Sequence, residues 1–135
     1  ISKKGVIAKT ICSFLNSLGG FLFIGVNDKG KPIGLDSDFS LSNKSDPHDF
    51  FKLEFDEMIY HFFGRDVHEY INGDFVDIDG KVIFLVTVSP SILPVFMAGQ
   101  ESKLFYIRGT ASSQLLTDIE EITKYCLAHK NFLKS

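Results

Sequence analysis

Apolar residues fall into two spacings along the first 35 residues. Ile7, Ile11, Phe14, Leu15 and Leu18 recur at the three- and four-residue step of one helical face, which predicts an amphipathic helix over residues 6–18. Lys9, Thr10, Ser13 and Ser17 fall off that face. Gly19 lies where a helix end needs a positive φ, and Gly20 lets the next backbone pass close by. Phe21-Leu22-Phe23-Ile24 then shows no polar alternation, so the pattern predicts a strand over residues 21–26 near the middle of a sheet. Asn27-Asp28-Lys29-Gly30 has the chemistry of a tight turn and leads to a short return strand over residues 32–35. Residues 36–46 read as a polar, Ser-rich loop.

Asp46-Pro47 marks a helix start, with Asp to cap and Pro suited to the first helical position. Phe51, Phe55, Met58, Ile59 and Phe62 form its apolar face, and the helix should end at Gly64. Residues 67–88 look like strands. Asn72-Gly73 and Asp79-Gly80 are both turn dipeptides, and the second should join a hairpin of residues 75–78 and 81–88. Val82-Ile83-Phe84-Leu85-Val86 is apolar on both faces and is expected to be central. Pro90 and Pro94 bracket a loop, residues 99–102 form a turn, and residues 104–108 form a further strand. Thr117-Asp118-Ile119-Glu120 reads as a capping box, opening a last helix with Ile119, Ile122 and Cys126 inward. This order predicts an α+β (mixed α/β) fold: a mixed sheet of about five to six strands with three helices packed on it.

Composition narrows the class. At 135 residues, 44% hydrophobic and 23% charged, the chain is expected to be one globular domain over residues 1–135. Fourteen Phe and no Trp point to a core of phenyl rings. No apolar run approaches the ~20 residues of a membrane span, and no signal-peptide pattern opens the chain. It begins at Ile1, as expected of a piece of a longer protein. Cys12 and Cys126 lack a metal or redox spacing, which fits buried thiols in a reducing cytoplasm.

Charge is polarised along the chain. In residues 1–35 five lysines face Asp28 alone, giving +4; in residues 36–79 three basic residues face twelve acidic ones, giving −9. Either a one-faced electrostatic footprint or ordinary solvated charge accounts for this. The overall −3 argues against non-specific coating of nucleic acid.

Metal and nucleophile chemistry find little support. The four histidines, His48, His61, His68 and His129, show no zinc-ligand spacing. Ser91 and Ser112 lie near turns but without a nucleophile elbow. The run from Gly19 to Gly25 lacks the lysine of a phosphate-binding loop. Basic residues are better candidates. Lys29 and Lys31 sit at a hairpin tip, where a basic loop reaches a phosphate backbone. Arg108 ends a strand and precedes Gly109-Thr110-Ala111-Ser112-Ser113, a run of amides and hydroxyls suited to phosphate beside a guanidinium. The alternative is a solubilising turn, with Arg108 paired to a carboxylate.

Three blocks carry a family resemblance. The first is Ser13-Phe14-Leu15-Asn16-Ser17-Leu18-Gly19-Gly20, continued by Ile24-Gly25-Val26-Asn27-Asp28-Lys29-Gly30 and Ile33-Gly34-Leu35. The second is Val88-Ser89-Pro90-Ser91 with Pro94-Val95-Phe96, and the third is residues 105–113. In this order they resemble the Schlafen/AlbA-type domain of bacterial regulators and animal Schlafen proteins, a family described as DNA-binding. The resemblance implies a cytoplasmic module of a transcriptional regulator that binds DNA or RNA without a cofactor. Phosphate contacts would come from Lys29, Lys31, Arg108, Ser112 and Ser113, widened by Lys3, Lys4 and Lys9. Some animal Schlafen proteins are metal-assisted ribonucleases that use two glutamates before the first helix and an aspartate in the turn. Asp28 falls on that aspartate, so one alternative is a truncated Mg²⁺- or Mn²⁺-dependent endoribonuclease. Another is a protein-interaction or homodimerisation module, drawn from the acidic middle of the chain.

Overall fold

A computed structural model describes residues 1, 3–36 and 46–133. The loop expected over residues 36–46 therefore lies, between its two end residues, outside the described residues. Helix α1 spans Lys4–Leu15 and is buried from Ile11 to Leu15. Ile7, Ile11, Phe14 and Leu15 enter the main core, while Ala8 and Cys12 join Met97 in a smaller cluster on another side. A helix with two apolar faces is buried on two sides. It ends earlier than its periodicity suggests: Asn16 is the C-cap, and Leu18 is 82% exposed rather than part of the buried face.

The chain then reverses. Gly19, at φ 76°, donates its N–H to the Phe14 carbonyl at 2.9 Å. The close backbone approach falls at Gly19, where a Cβ would collide with the Val88 carbonyl. At Gly20 a Cβ would meet the Phe14 ring instead. Strand β1 spans Gly20–Ile24, and helix α2 spans Pro47–Phe63. Asp46 caps α2 through its carboxylate, which accepts from the amides of His48 and Asp49. Gly64 closes it at φ 76°.

After a 3₁₀ turn at His68–Tyr70 come strands β2, Ile71–Ile78, and β3, Lys81–Val88. Asp79 and Gly80 join them with both φ angles positive, as a two-residue hairpin turn requires. Asn72-Gly73 is not a turn but lies inside β2, because the Phe84 ring fills the space where a Cβ at Gly73 would stand. Strands β4, Met97–Ala98, β5, Lys103–Arg108, and β6, Ser113–Leu116, precede the last helix, α3, at Ile119–Ala128.

The fold is α+β, as expected, with three helices and six strands among the described residues. The strands divide into two three-stranded antiparallel sheets, β1-β3-β2 and β4-β5-β6, where one mixed sheet was expected. Strand β3 is central, with Ile83, Phe84, Val86 and Val88 buried. Strand β1 is an edge, and its odd-numbered side chains face outward. The return strand over residues 32–35 reduces to a bridge between Val26 and Pro32, since Pro cannot extend a ladder as donor. Helix α3 starts after Asp118 with no side-chain cap, so the capping box does not form. Ile119 is exposed, Ile122 and Cys126 are half-buried, and Tyr125 docks the helix by packing on Phe105 and Phe132.

Candidate nucleic-acid interface

Two polar constructions flank β1. At its far end Asn27 organises the tip. Its side-chain oxygen accepts from the amides of Lys29, at 3.0 Å, and Lys31, at 2.9 Å, while its own N–H donates to the Lys31 carbonyl. Gly30 completes the turn at φ 78°. This is the local side-chain bonding that lets Asn nucleate turns. It fixes the backbone from which the two lysine side chains project. Both are exposed, and neither is ion-paired among the described residues.

At the near end Asn16 is fully buried and joins three segments. Its amide nitrogen donates to the carbonyls of Val95 and Tyr106, at 2.8 and 2.9 Å, and its oxygen accepts from the Val95 amide at 2.8 Å. Its backbone carbonyl accepts from the Tyr125 hydroxyl. Burial pushes the Tyr125 phenol up, against a hydrogen bond with Ser17 that lowers it. The Ser17 hydroxyl also accepts from the Arg108 amide at 2.9 Å. Thus the start of the motif locks helix α1 to β5, to the loop before β4 and to α3.

Arg108 stands on this anchored end. Its guanidinium lies 5.4 Å from the centroid of Phe14, whose ring occupies the space left by Gly20. No carboxylate pairs with it among the described residues. The following turn closes through the Gly109 amide and the Ser112 carbonyl at 2.8 Å. Ser112 is exposed, whereas Ser113 donates its hydroxyl to Ser13 at 3.0 Å, which ties β6 to α1. That turn therefore serves the core as well as the surface.

The expected basic residues do not converge on one pocket. Strand β1, Gly20–Ile24, alone sets about 13 Å between its Arg108 end and the start of the Asn27 tip, at about 3.3 Å per residue. Lys4 lies 3.9 Å from Glu54 on α2, and the Lys9 amino group 6.0 Å from the Tyr106 ring. Lys3 is exposed at the start of α1 with φ 57°. Asp28 is exposed in the tip, and the amides there are held by Asn27 rather than by its carboxylate. No group of three or more His, Cys, Asp or Glu side chains converges among the described residues. Asp28 alone is too few donors for Mg²⁺ or Mn²⁺, so these residues do not fit a divalent-metal site.

The Asn16 anchor, the glycine reversal and the Asn27 tip all lie within the stretch that matches a known family. Residues 1–117 match the family described as Schlafen, AlbA_2. The chain belongs to the Schlafen, AlbA_2 family. No curated protein and no solved structure matches it. Family membership points to a nucleic-acid-binding domain. Within this Schlafen, AlbA_2 chain, the first motif block holds one buried asparagine that anchors and one exposed asparagine that shapes a basic turn.

Two surface residues escaped the sequence reading. Phe21 and Phe23 are 64% and 48% exposed on β1. With every residue from Phe21 to Ile24 apolar, no alternation marked one face as outward. Among the described residues, no helix is long and apolar enough to cross a membrane.

Proposed function

We propose that residues 1–135 form a nucleic-acid-binding module of a cytoplasmic, bacterial-type transcriptional regulator, gripping phosphates through Lys29, Lys31 and Arg108. The observation that carries this reading is the Asn27-locked tip. Two lysines without an ion pair among the described residues project from a backbone held by two side-chain hydrogen bonds, so little backbone ordering is needed when a phosphate docks. Arg108, resting on Phe14 and without a carboxylate partner among the described residues, supplies a second contact at the other end of β1. Ser112 lies in the turn that follows it, and Lys3 and Lys9 extend the positive charge along α1, with Lys4 shared with Glu54. Such contacts set position on a backbone without reading bases.

Fluorescence anisotropy with labelled single- and double-stranded DNA and RNA over a salt series tests the reading. Affinity should fall as salt rises. The Lys29→Ala/Lys31→Ala variant should lower the log–log slope by roughly 1.4–1.8, and Arg108→Ala by about half of that. No binding to any probe at low salt, or an unchanged slope in both variants, overturns it.

A further inference from the structure

Two phenyl rings of β1, Phe21 and Phe23, lie outside the core clusters of the described residues and stay largely exposed. Phe21 and Phe23 alternate with Leu22 and Ile24, which pack on the core, so the two rings stand on the opposite face of the sheet. They are about 6.6 Å apart along the strand. On that face they lie beside Thr87 and Leu85 of β3. Only β3 pairs with β1 among the described strands, which leaves the strand as the margin of its sheet.

Charge selects what covers these rings. The chain leaves β1 into the tip that carries Lys29 and Lys31, and Lys81 at the start of β3 lies beside Gly34. The opposite margin of the same face carries Asp74 on β2, across from Leu85 and 3.8 Å from Lys52. The β1 side thus carries Lys29, Lys31 and Lys81 against Asp28, whereas on the β2 side the Asp74 carboxylate is offset by Lys52 alone. A polyanion with flat apolar groups fits along β1 and not across the sheet. Base-on-aromatic stacking beside lysines is how single strands are held without sequence preference, whereas a duplex keeps its base faces hidden.

We propose that Phe21 and Phe23 form a stacking platform for single-stranded nucleic acid, with two bases on the rings and the adjoining phosphates at Lys29 and Lys31. This inference rests on the phosphate-binding reading above and adds the strandedness of the ligand. The chain and its Phe21→Ala/Phe23→Ala variant are titrated with a labelled short oligo-dT, a labelled short oligo-U and a duplex of equal length. Single strands should bind more tightly than duplex. The variant should lose about 5- to 160-fold per ring on single strands and little on duplex. Because the chain has no Trp, Phe23→Trp adds a sole indole, whose fluorescence should be quenched by the single strands.

Tighter binding of duplex, or unchanged single-strand affinity in the double variant, overturns the platform. The phosphate reading still stands in that case if Lys29→Ala/Lys31→Ala weakens binding. Absence of binding to every probe overturns both. A dimer in sedimentation that the double Phe variant dissolves, with single-strand affinity retained, assigns the face to a second copy and also overturns the platform.

Discussion

Strands β1 and β3 are neighbours in one sheet and almost equally apolar, yet they do opposite things. Strand β3 is paired on both sides and buries Ile83, Phe84, Val86 and Val88. Strand β1 is paired on one side and turns two phenyl rings to solvent. The difference lies in what covers each face. Phe84 is enclosed by Phe51 and Phe55 of α2 and Phe75 of β2, with ring centroids 5.1 Å away in each case. Among the described residues no aromatic ring encloses Phe21 or Phe23 in this way. Apolar character alone does not assign a strand to the core; the elements packed on it do. The exposed aromatic pair on this sheet margin is what the platform proposed above would use.

The sharpest test of the contrast substitutes one ring in each strand. Phe84→Ala removes the hub of the phenyl cluster and should destabilise the fold by about 3–5 kcal/mol, a scale set by large-to-small core changes. Phe23→Ala in β1 should change stability by no more than about 1 kcal/mol, because roughly half of its surface is already wet. Urea unfolding followed by far-ultraviolet circular dichroism gives both numbers. Comparable losses at the two positions would remove the distinction between the strands.

Much of this contrast was legible where one strong local rule acted alone. Asp79-Gly80 announced its hairpin because few residues tolerate two successive positive φ angles. Asp46-Pro47 announced α2 through capping chemistry. The central place of β3 followed from its apolar run. The same rule misplaced β1, since an edge strand and a central strand share a composition when nothing marks the wet face. Asn72-Gly73 read as a turn because the dipeptide does not reveal that a distant ring, Phe84, needs the glycine's empty space. At the candidate interface the basic tip was legible from Asn27 to Lys31. The roles of Asn16 and Ser113 were not, because their partners lie 79 to 100 residues away in the chain.

The two asparagines flanking β1 extend the comparison from its side chains to its anchors. Asn16→Ala would leave the Val95 amide and the carbonyls of Val95 and Tyr106 without these partners in a buried setting. The expected loss is about 3 kcal/mol, with the core-side end of β1 loosened. Asn27→Ala removes two bonds to exposed amides, and about 1 kcal/mol should go, since water replaces them. Amide hydrogen exchange separates the two effects. Asn16→Ala should raise exchange across β1 and β5, whereas Asn27→Ala should raise it only at residues 27–31. An Asn16→Ala variant as stable as the unaltered chain would mean that the near end of β1 is held by apolar packing alone.

The smallest effect probes the dry layer behind α1, on the side away from β1 and β3. Cys12 packs with Ala8 and Met97, and burial pushes its thiol up to about 11, against a lowering hydrogen bond from the Tyr106 backbone. In the unfolded chain the same thiol ionises near its ordinary value of 9.0. Between those two values the folded state holds a proton that the unfolded state has released. The contribution is therefore intact below the unfolded value and declines as pH rises through the window, by at most about 1.4 kcal/mol per pH unit. Cys12→Ala should remove that share of the decline, visible as a shallower fall in stability between pH 9 and 10.5 in paired denaturation series. The folded chain should also react slowly with thiol reagents at Cys12 near pH 8. Rapid modification there, or identical pH slopes for the two chains, would show that water reaches this layer, and the contrast between a dry interior and a wet β1 margin would weaken accordingly.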